Sequence, residues 1–259
     1  MRSNGPRAHP AGALGFFVLP IYVAVPMSTE IASGTTESVE TEHDHHPPHL
    51  QHHFVSSEQQ FDSAKLGMWL FLITEILLFS ALFVAYAVYR NWNPVAFAEA
   101  SSTLDWVLGS VNTIVLLTSS LTVALSIHFI QKNDRQKTVA SLLATLALAG
   151  VFLVIKYFEY MAKFEHGIYP GEAFAPTGSG YEYLAAIPYV PQFFSIYFVM
   201  TGIHGVHVVI GMGLIGWMAW RAHRGDFSDE WYTPVELTGL YWHIVDIVWI
   251  FLFPLLYLV

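Results

Sequence analysis

The stretch from Leu66 to Tyr89 constrains the fold most strongly, because it runs for twenty-four residues with one ionisable side chain, Glu75. A bilayer-spanning helix needs about 20 apolar residues, so this stretch is long enough to cross a membrane. At about 1.5 Å per residue, Glu75 lies roughly 13 Å from the entry end, near mid-membrane. An intramembrane carboxyl group is a candidate functional site. The alternative is a neutral glutamic acid that hydrogen-bonds a neighbouring helix.

The composition points to several such helices. Of the 259 residues, 54% are hydrophobic and only 12% are charged, which is too apolar for an ordinary soluble domain. The net charge of −9 excludes a nucleic-acid partner, because a basic surface is needed to neutralise phosphates. The chain has no cysteine, so it has no disulfide and no thiolate metal site. We therefore predict an all-α polytopic membrane protein.

Residues 1–64 form an N-terminal extension of a different composition, which we predict to be disordered. Its His-rich tract, residues 43–53, is typical of loose metal binding, but nothing in the sequence gives it a fixed geometry. Residues 1–26 resemble the charged and apolar regions of a signal peptide, yet Pro20 interrupts the apolar run and no cleavage site follows. Our hypothesis is that Met27 is the true start and that residues 1–26 are not translated.

The remaining residues, 65–259, form the predicted membrane domain. Its five predicted spans cover residues 66–89, 106–130, 139–161, 192–221 and 237–258, and we expect a loop over residues 91–105. Lys and Arg side chains favour the cytoplasmic side of a membrane protein. One side carries six of them near the span ends (Lys65, Lys132, Arg135, Lys137, Arg221 and Arg224), whereas the other carries Arg90 and Lys163. This distribution predicts a cytoplasmic N-terminus and an external C-terminus.

Two pairs of polar residues lie inside the last two spans. His204 and His207 are three residues apart on one helix face, and His243 and Asp246 repeat that spacing. Histidines from facing helices are typical of haem sites, and Glu-x-x-His pairs are typical of di-iron bundles. No span contains Glu-x-x-His, so we expect the two pairs to bridge the fourth and fifth spans by hydrogen bonds.

Two further features have the spacing of helix contacts. Lys156 and Glu159 stand three residues apart at the end of the third span and are able to pair. Gly202 and Gly205 flank the histidines of the fourth span, and such glycines permit close contact with a neighbouring helix.

Five segments carry a family resemblance. They are MWLFLITEILLFSALFVAY, VNTIVLLTSSLTVALSIH, YFEY, FVMTGIHGVHVVIG and YWHIVDIVWIFLF, and together they resemble subunit III of haem-copper oxidases, the cytochrome c oxidase subunit 3 family. The match covers roughly Lys65 to Val259, in order, with every span represented. The chain is similar to the five-span form common in bacteria, which lacks the first two of seven spans.

The resemblance implies a non-redox subunit beside the catalytic subunit of a proton-pumping terminal oxidase in the bacterial plasma membrane. It implies partners in oxidase subunits I and II, which carry haem and copper, and a cleft of this chain that holds phospholipid and supports proton uptake. It implies no catalytic or metal-binding residue on this chain. Glu75 matches the family's intramembrane glutamate at the cleft, and Arg221 matches a basic position near lipid headgroups. The other matching polar positions are Glu159, His204, His207, Trp242, His243 and Asp246.

Lys156 departs from the uncharged polar residue expected there, which leaves its pairing with Glu159 open. Cytochrome c is the expected electron donor, and a quinol oxidase is the alternative. A proton-coupled transporter that uses Glu75 is an alternative of another class, but such proteins usually show internal repeats and broken helices, which we do not find in the sequence.

Overall fold

A computed structural model describes residues 51, 54–178 and 180–259, and all of its regular secondary structure within those residues is helical. Six α-helices follow one another: α1 (Ser57–Trp92), α2 (Pro94–Ser102), α3 (Trp106–Ile130), α4 (Arg135–Glu165), α5 (Val190–Arg224) and α6 (Thr233–Tyr257). Five of them, all except α2, are long and apolar enough to cross a membrane. The predicted all-α, five-span fold class is therefore confirmed. The His-rich tract, except Gln51, and residues 1–26 lie outside the described residues.

The sequence places clear signals at the helix ends. Asp105 accepts hydrogen bonds from the backbone N–H groups of Val107 and Leu108 and so caps α3. Asp134 caps α4 in the same way, and its hydrogen bonds from Lys137 hold the pKa of its carboxyl group below the usual value. At its far end α5 stops at Gly225, whose φ of 86° is the left-handed conformation that terminates helices and favours glycine.

Two stretches differ from the sequence-based expectation. Residues 57–64, which we assigned to the N-terminal extension, form the first turns of α1, where Ser56 accepts a hydrogen bond from the Gln59 backbone. Residues 94–102, expected to be loop, form α2. Proline at the first position of α2 needs no hydrogen-bond partner for its nitrogen, and the helix is too short for an apolar period to reveal it.

Helices α3, α4, α5 and α6 pack against one another, whereas α1 lies along α5 and α6 at the edge of this group. Trp242 and Trp249 of α6 are fully buried and fill the centre. Gly211 of α5 makes room for the Trp242 ring, because a Cβ at that position would lie 2.7 Å from it. In α1 the buried residues are Leu72, Phe79 and Tyr86, spaced seven apart along one stripe. Most of the α1 surface is thus left for lipid or for another chain.

Gly202 and Gly205, which permit close contact with a neighbouring helix, make no such contact within the described chain. A Cβ built on either glycine meets no atom within 4 Å. Both residues instead line an open groove between α4 and α5, so no side chain among the described residues fills the space that they leave.

Candidate functional site

Glu75 and His207 form a hydrogen-bonded pair in the middle of the membrane domain. Glu75 projects from α1 and His207 from α5, and the carboxyl oxygen Oε2 lies 2.7 Å from the ring nitrogen Nε2. The other ring nitrogen, Nδ1, lies 2.8 Å from the carbonyl oxygen of Ile203. Because a carbonyl only accepts, Nδ1 carries a proton. The proton between Nε2 and Glu75 then belongs either to an imidazolium that donates to a carboxylate or to a carboxylic acid that donates to a neutral ring.

This pair is open on one side. It lines a groove of about 400 Å³ between α1, α5 and α6, and the walls are mainly apolar side chains: Met68, Phe71, Ile210, Leu214, Leu237 and Tyr241. The side chains of His207 and Glu75 remain 14% and 16% exposed, so both are accessible from the groove. The Tyr241 hydroxyl donates to the carbonyl oxygen of His207 at 3.2 Å and links the groove wall to α5. A groove with mainly apolar walls and one polar pair is suited to bind an acyl chain.

Lys156 and Glu159 form a second pair at the predicted outer end of α4, 3.0 Å apart and almost completely buried. The ammonium also donates to the hydroxyls of Tyr197 at 3.1 Å and Tyr257 at 2.7 Å. Both hydroxyls donate in turn to Oε1 of Glu159, at 2.8 and 2.6 Å. The pairing that the sequence left open is therefore present. It ties α4, α5 and α6 together, with all three ammonium protons used.

The expected bridge between the fourth and fifth spans is wrong. His204 is buried between the rings of Phe152 and Trp249, at 5.7 and 5.2 Å, and neither of its ring nitrogens has a hydrogen-bond partner in the described chain. Residues three apart on a helix point about 60° apart, given 3.6 residues per turn. His207 thus turns towards α1 while His204 turns into the core.

The α6 residues face α3 instead. Nδ1 of His243 lies 2.5 Å from the Ser120 hydroxyl, and Trp242 donates to the Ser119 hydroxyl at 3.0 Å. Asp246 is buried beside the same two serines, but its carboxyl oxygens make no hydrogen bond of ordinary length within the described chain. The hydrogen bonds of Trp242 and His243 hold α3 and α6 together, and neither these two residues nor Asp246 lines the groove at Glu75.

Arg221 lies near the predicted cytoplasmic end of α5, away from these clusters. Its Nε donates to Asp226 at 3.0 Å, and its guanidinium group lies over the rings of Phe227 and Trp231. The residues therefore fold the start of the α5–α6 loop back onto α5. No group of three or more His, Cys, Asp or Glu side chains in the described ranges is arranged to hold a metal ion.

Tyr197 and Tyr257 belong to the Lys156 cluster but were not among the site residues predicted from the sequence. The available signal was that a tyrosine hydroxyl within an apolar span needs a hydrogen-bond partner, which singles out both residues. It does not reveal the partner, since Tyr257 is 101 residues from Lys156.

The protein has five helices that are long and apolar enough to cross a membrane, and a carboxyl–imidazole pair lies between two of them. These features place it in the class of polytopic membrane proteins. Residues 49–259 match the family described as cytochrome c oxidase subunit III. The chain is 32% identical over 237 residues to "Cytochrome c oxidase subunit 3" of Synechocystis sp., which covers 91% of this chain and 89% of that protein. It is 28% identical over 220 residues to "Quinol oxidase subunit 3" of Bacillus subtilis, which covers 81% of this chain and 96% of the relative.

The chain belongs to the cytochrome c oxidase subunit III family of haem-copper oxidases. It is thus a subunit of an oxidoreductase complex and associates with the catalytic subunits of that complex. Both cytochrome c oxidase and quinol oxidase names occur among its relatives.

Proposed function

We propose that this chain is the non-redox core subunit of a proton-pumping terminal oxidase that reduces oxygen to water with electrons from cytochrome c. Its role is to bind a phospholipid in the groove at Glu75 and His207. The bound lipid supports proton uptake by the catalytic subunit and slows the inactivation of that subunit during turnover. The observation that carries this proposal is the mainly apolar groove of about 400 Å³ with a single hydrogen-bonded acid at its floor.

Haem and copper belong, in this proposal, to the partner subunits, and this chain supplies no catalytic residue and no metal ligand. The chemistry of its histidines supports that division. Both ring nitrogens of His207 are engaged, by Ile203 and Glu75, and Nδ1 of His243 is engaged by Ser120. His204 is enclosed by aromatic rings.

The proposed partners are oxidase subunits I and II, and the proposed location is the plasma membrane of a bacterium. The excess of Lys and Arg at one end of the bundle supports a cytoplasmic N-terminus and an external C-terminus. Cytochrome c is favoured as donor because the relatives at 32% identity have cytochrome c oxidase names, whereas the quinol oxidase of Bacillus subtilis is at 28%. Turnover of the intact complex with reduced cytochrome c but not with quinol is the expected result. Turnover with quinol alone would favour the alternative.

A proton-coupled transporter that works through Glu75 is the weaker alternative. Membership of the oxidase family favours the oxidase subunit, which purifies together with a larger haem-bearing chain. A transporter of this size would be isolated alone and would remain active.

The groove is tested by two substitutions at Glu75 in the intact complex. Glu75→Gln keeps the shape and one hydrogen bond to His207, so we expect normal assembly and most of the initial activity. Glu75→Leu removes the polar floor, so we expect less retained phospholipid and fewer turnovers before inactivation. Thr74→Leu, at the adjacent exposed position, is the matched control and should behave as the unaltered protein. Immediate loss of proton pumping in Glu75→Gln would make Glu75 a member of a proton relay and would contradict the support role.

A further inference from the structure

Another groove lies at the C-terminal end of α1 and shares no lining residue with the groove at Glu75. It has a volume of about 430 Å³ and is formed by the end of α1, the start of α2 and the last turn of α6. Its lining consists of Tyr86, Ala87, Arg90, Asn91, Pro94 and Leu255. The groove therefore combines an apolar wall with one cation and one amide.

Arg90 is the unneutralised charge of this groove. Within the described chain a carboxylate partner is present for each of four other cations, Lys65, Lys137, Lys156 and Arg221. No described carboxylate lies within ion-pair distance of Arg90. The other cation at this end of the bundle, Lys163, donates to the carbonyl oxygen of Thr103 at 2.7 Å. Arg90 is thus the cation at this end that remains available to an anion from outside the described chain.

The Arg90 side chain has one polar neighbour on α1, Tyr86. Its guanidinium group lies beside the hydroxyl of Tyr86, which itself donates to the carbonyl oxygen of Leu255 at 2.5 Å. A guanidinium group has five N–H donors, and one hydroxyl oxygen satisfies only a small part of them. The remaining donors have the planar arrangement that binds two oxygens of a phosphate at once.

The depth of Arg90 in the membrane matches a lipid headgroup. Trp92 lies two residues after Arg90, just before α2, and Trp106 begins α3 just after it; their side chains are 70% and 59% exposed. Exposed tryptophans cluster where the membrane meets water. From this level the exposed side chains of Val88 and Val84 continue along α1 into the apolar region. A molecule with an anionic head and an acyl chain fits both parts of this surface.

We propose that this groove binds a phospholipid with an anionic headgroup, whose phosphate contacts Arg90 and whose acyl chain lies along Ala87 and Leu255. This is a second lipid site, at the predicted external end of the bundle, and it does not depend on the function proposed for Glu75.

The test uses the intact oxidase complex, stripped of lipid in detergent, supplied with phosphatidylglycerol and washed, with retained lipids counted by native mass spectrometry. We expect Arg90→Gln to lose one phosphatidylglycerol per complex. Ala87→Trp keeps the charge but fills the exposed groove, and should lose the same lipid. Arg224→Gln removes a cation at the other end of the bundle, where it lies over Trp220, and should retain the full number.

Wild-type retention in either groove variant would overturn the proposal, as would equal loss in Arg224→Gln. If Arg90→Gln does not assemble, Ala87→Trp gives the same reading, because it alters an exposed position and no charge. Inorganic phosphate is the competing source of the same chemistry. Full displacement of the lipid by phosphate at equal concentration would show a phosphate site instead of a lipid site.

Discussion

The glutamate pairs Lys156–Glu159 and Glu75–His207, both inside the membrane-spanning helices, differ in how completely their surroundings satisfy their hydrogen bonds. The Lys156–Glu159 pair has side chains 9% and 4% exposed, and two tyrosine hydroxyls take up its remaining hydrogen bonds. The Glu75–His207 pair stands at the edge of a groove with a single bond between its members. A closed network serves to hold helices together, whereas an open pair is available to a ligand. A glutamate with a basic partner is therefore suited to a different role in each place, because the surroundings differ.

The largest effect is expected from the removal of one member of the Lys156–Glu159 pair. We expect Glu159→Leu to lower the free energy of unfolding by about 3–5 kcal/mol, because it leaves the Lys156 ammonium buried without a counter-charge. The measurement is thermal unfolding of the purified complex, with retention of this chain as a second readout. Glu165→Leu, at an exposed position of the same helix, is the control and should change little.

The double variant Lys156→Met with Glu159→Leu separates the effect of the buried charge from the effect of the lost contacts. Replacing both members of a buried ion pair with apolar residues is often neutral, so it should recover most of the stability lost in Glu159→Leu. Equal damage in the single and double variants would show that the tyrosine contacts, and not the charge, hold the three helices.

Removal of His207 from the open pair should have a smaller effect on stability. Hydrogen bonds inside membranes average about 0.6 kcal/mol and reach about 1.7, so His207→Leu should cost no more than that upper value. The larger effect should be on the reactivity of Glu75, because its carboxyl group then faces the groove without a partner. We expect a change in the rate at which an apolar carbodiimide labels Glu75. His128→Leu, at an exposed histidine of α3, should leave the labelling as it is. An unfolding cost equal to that of Glu159→Leu would erase the contrast between the pairs.

Trp242 makes a hydrogen bond between uncharged side chains, which can be compared with the two glutamate pairs. Trp242→Phe removes the hydrogen bond to Ser119 while keeping an aromatic ring in the core, so we expect a loss of about 0.6 kcal/mol from the bond, plus a packing cost from the smaller ring. Trp217→Phe, on an exposed face of α5, should be neutral in the same unfolding assay. A loss in Trp217→Phe as large as in Trp242→Phe would mean that the assay reports the surface rather than the core.

The smallest effect is expected at Asp246. Its carboxyl group is buried without an ordinary hydrogen bond, so Asp246→Leu removes a polar group that the core does not satisfy. We expect stability to stay the same or to rise slightly, and oxygen reduction by the complex to continue. Marked destabilisation of Asp246→Leu, together with normal behaviour of Asp246→Asn, would reveal a partner that the described chain does not contain.

The sequence was sufficient for the features that follow from periodicity and local spacing. Twenty-four nearly uncharged residues around Glu75 predict a spanning helix, and Lys156 and Glu159 lie one helical turn apart. Neither inference needs to know how the helices are arranged. The family resemblance, which rests on five ordered segments, is confirmed by the match over residues 49–259.

The partners across helices were not predictable in the same way. His204 and His207 have the same spacing as His243 and Asp246, which suggested that the two pairs meet. Which neighbour a side chain meets depends on the rotation of each helix about its axis, and a single sequence does not specify that rotation. The short helix α2 was missed for another reason, since its nine residues are too few for an apolar period to be recognised.

The way α1 is fastened has a practical consequence for biochemistry. Among the described residues, polar links join α1 to α5 and α6 near each end and in the middle: Lys65–Glu236 at 3.0 Å, Glu75–His207 at 2.7 Å, and Tyr86 to the Leu255 carbonyl at 2.5 Å. Between these links its apolar surface is largely uncovered. Small detergents that enter the two grooves should therefore detach α1 while α3–α6 stay assembled. The choice of detergent during purification then decides whether the isolated subunit keeps its first helix in place.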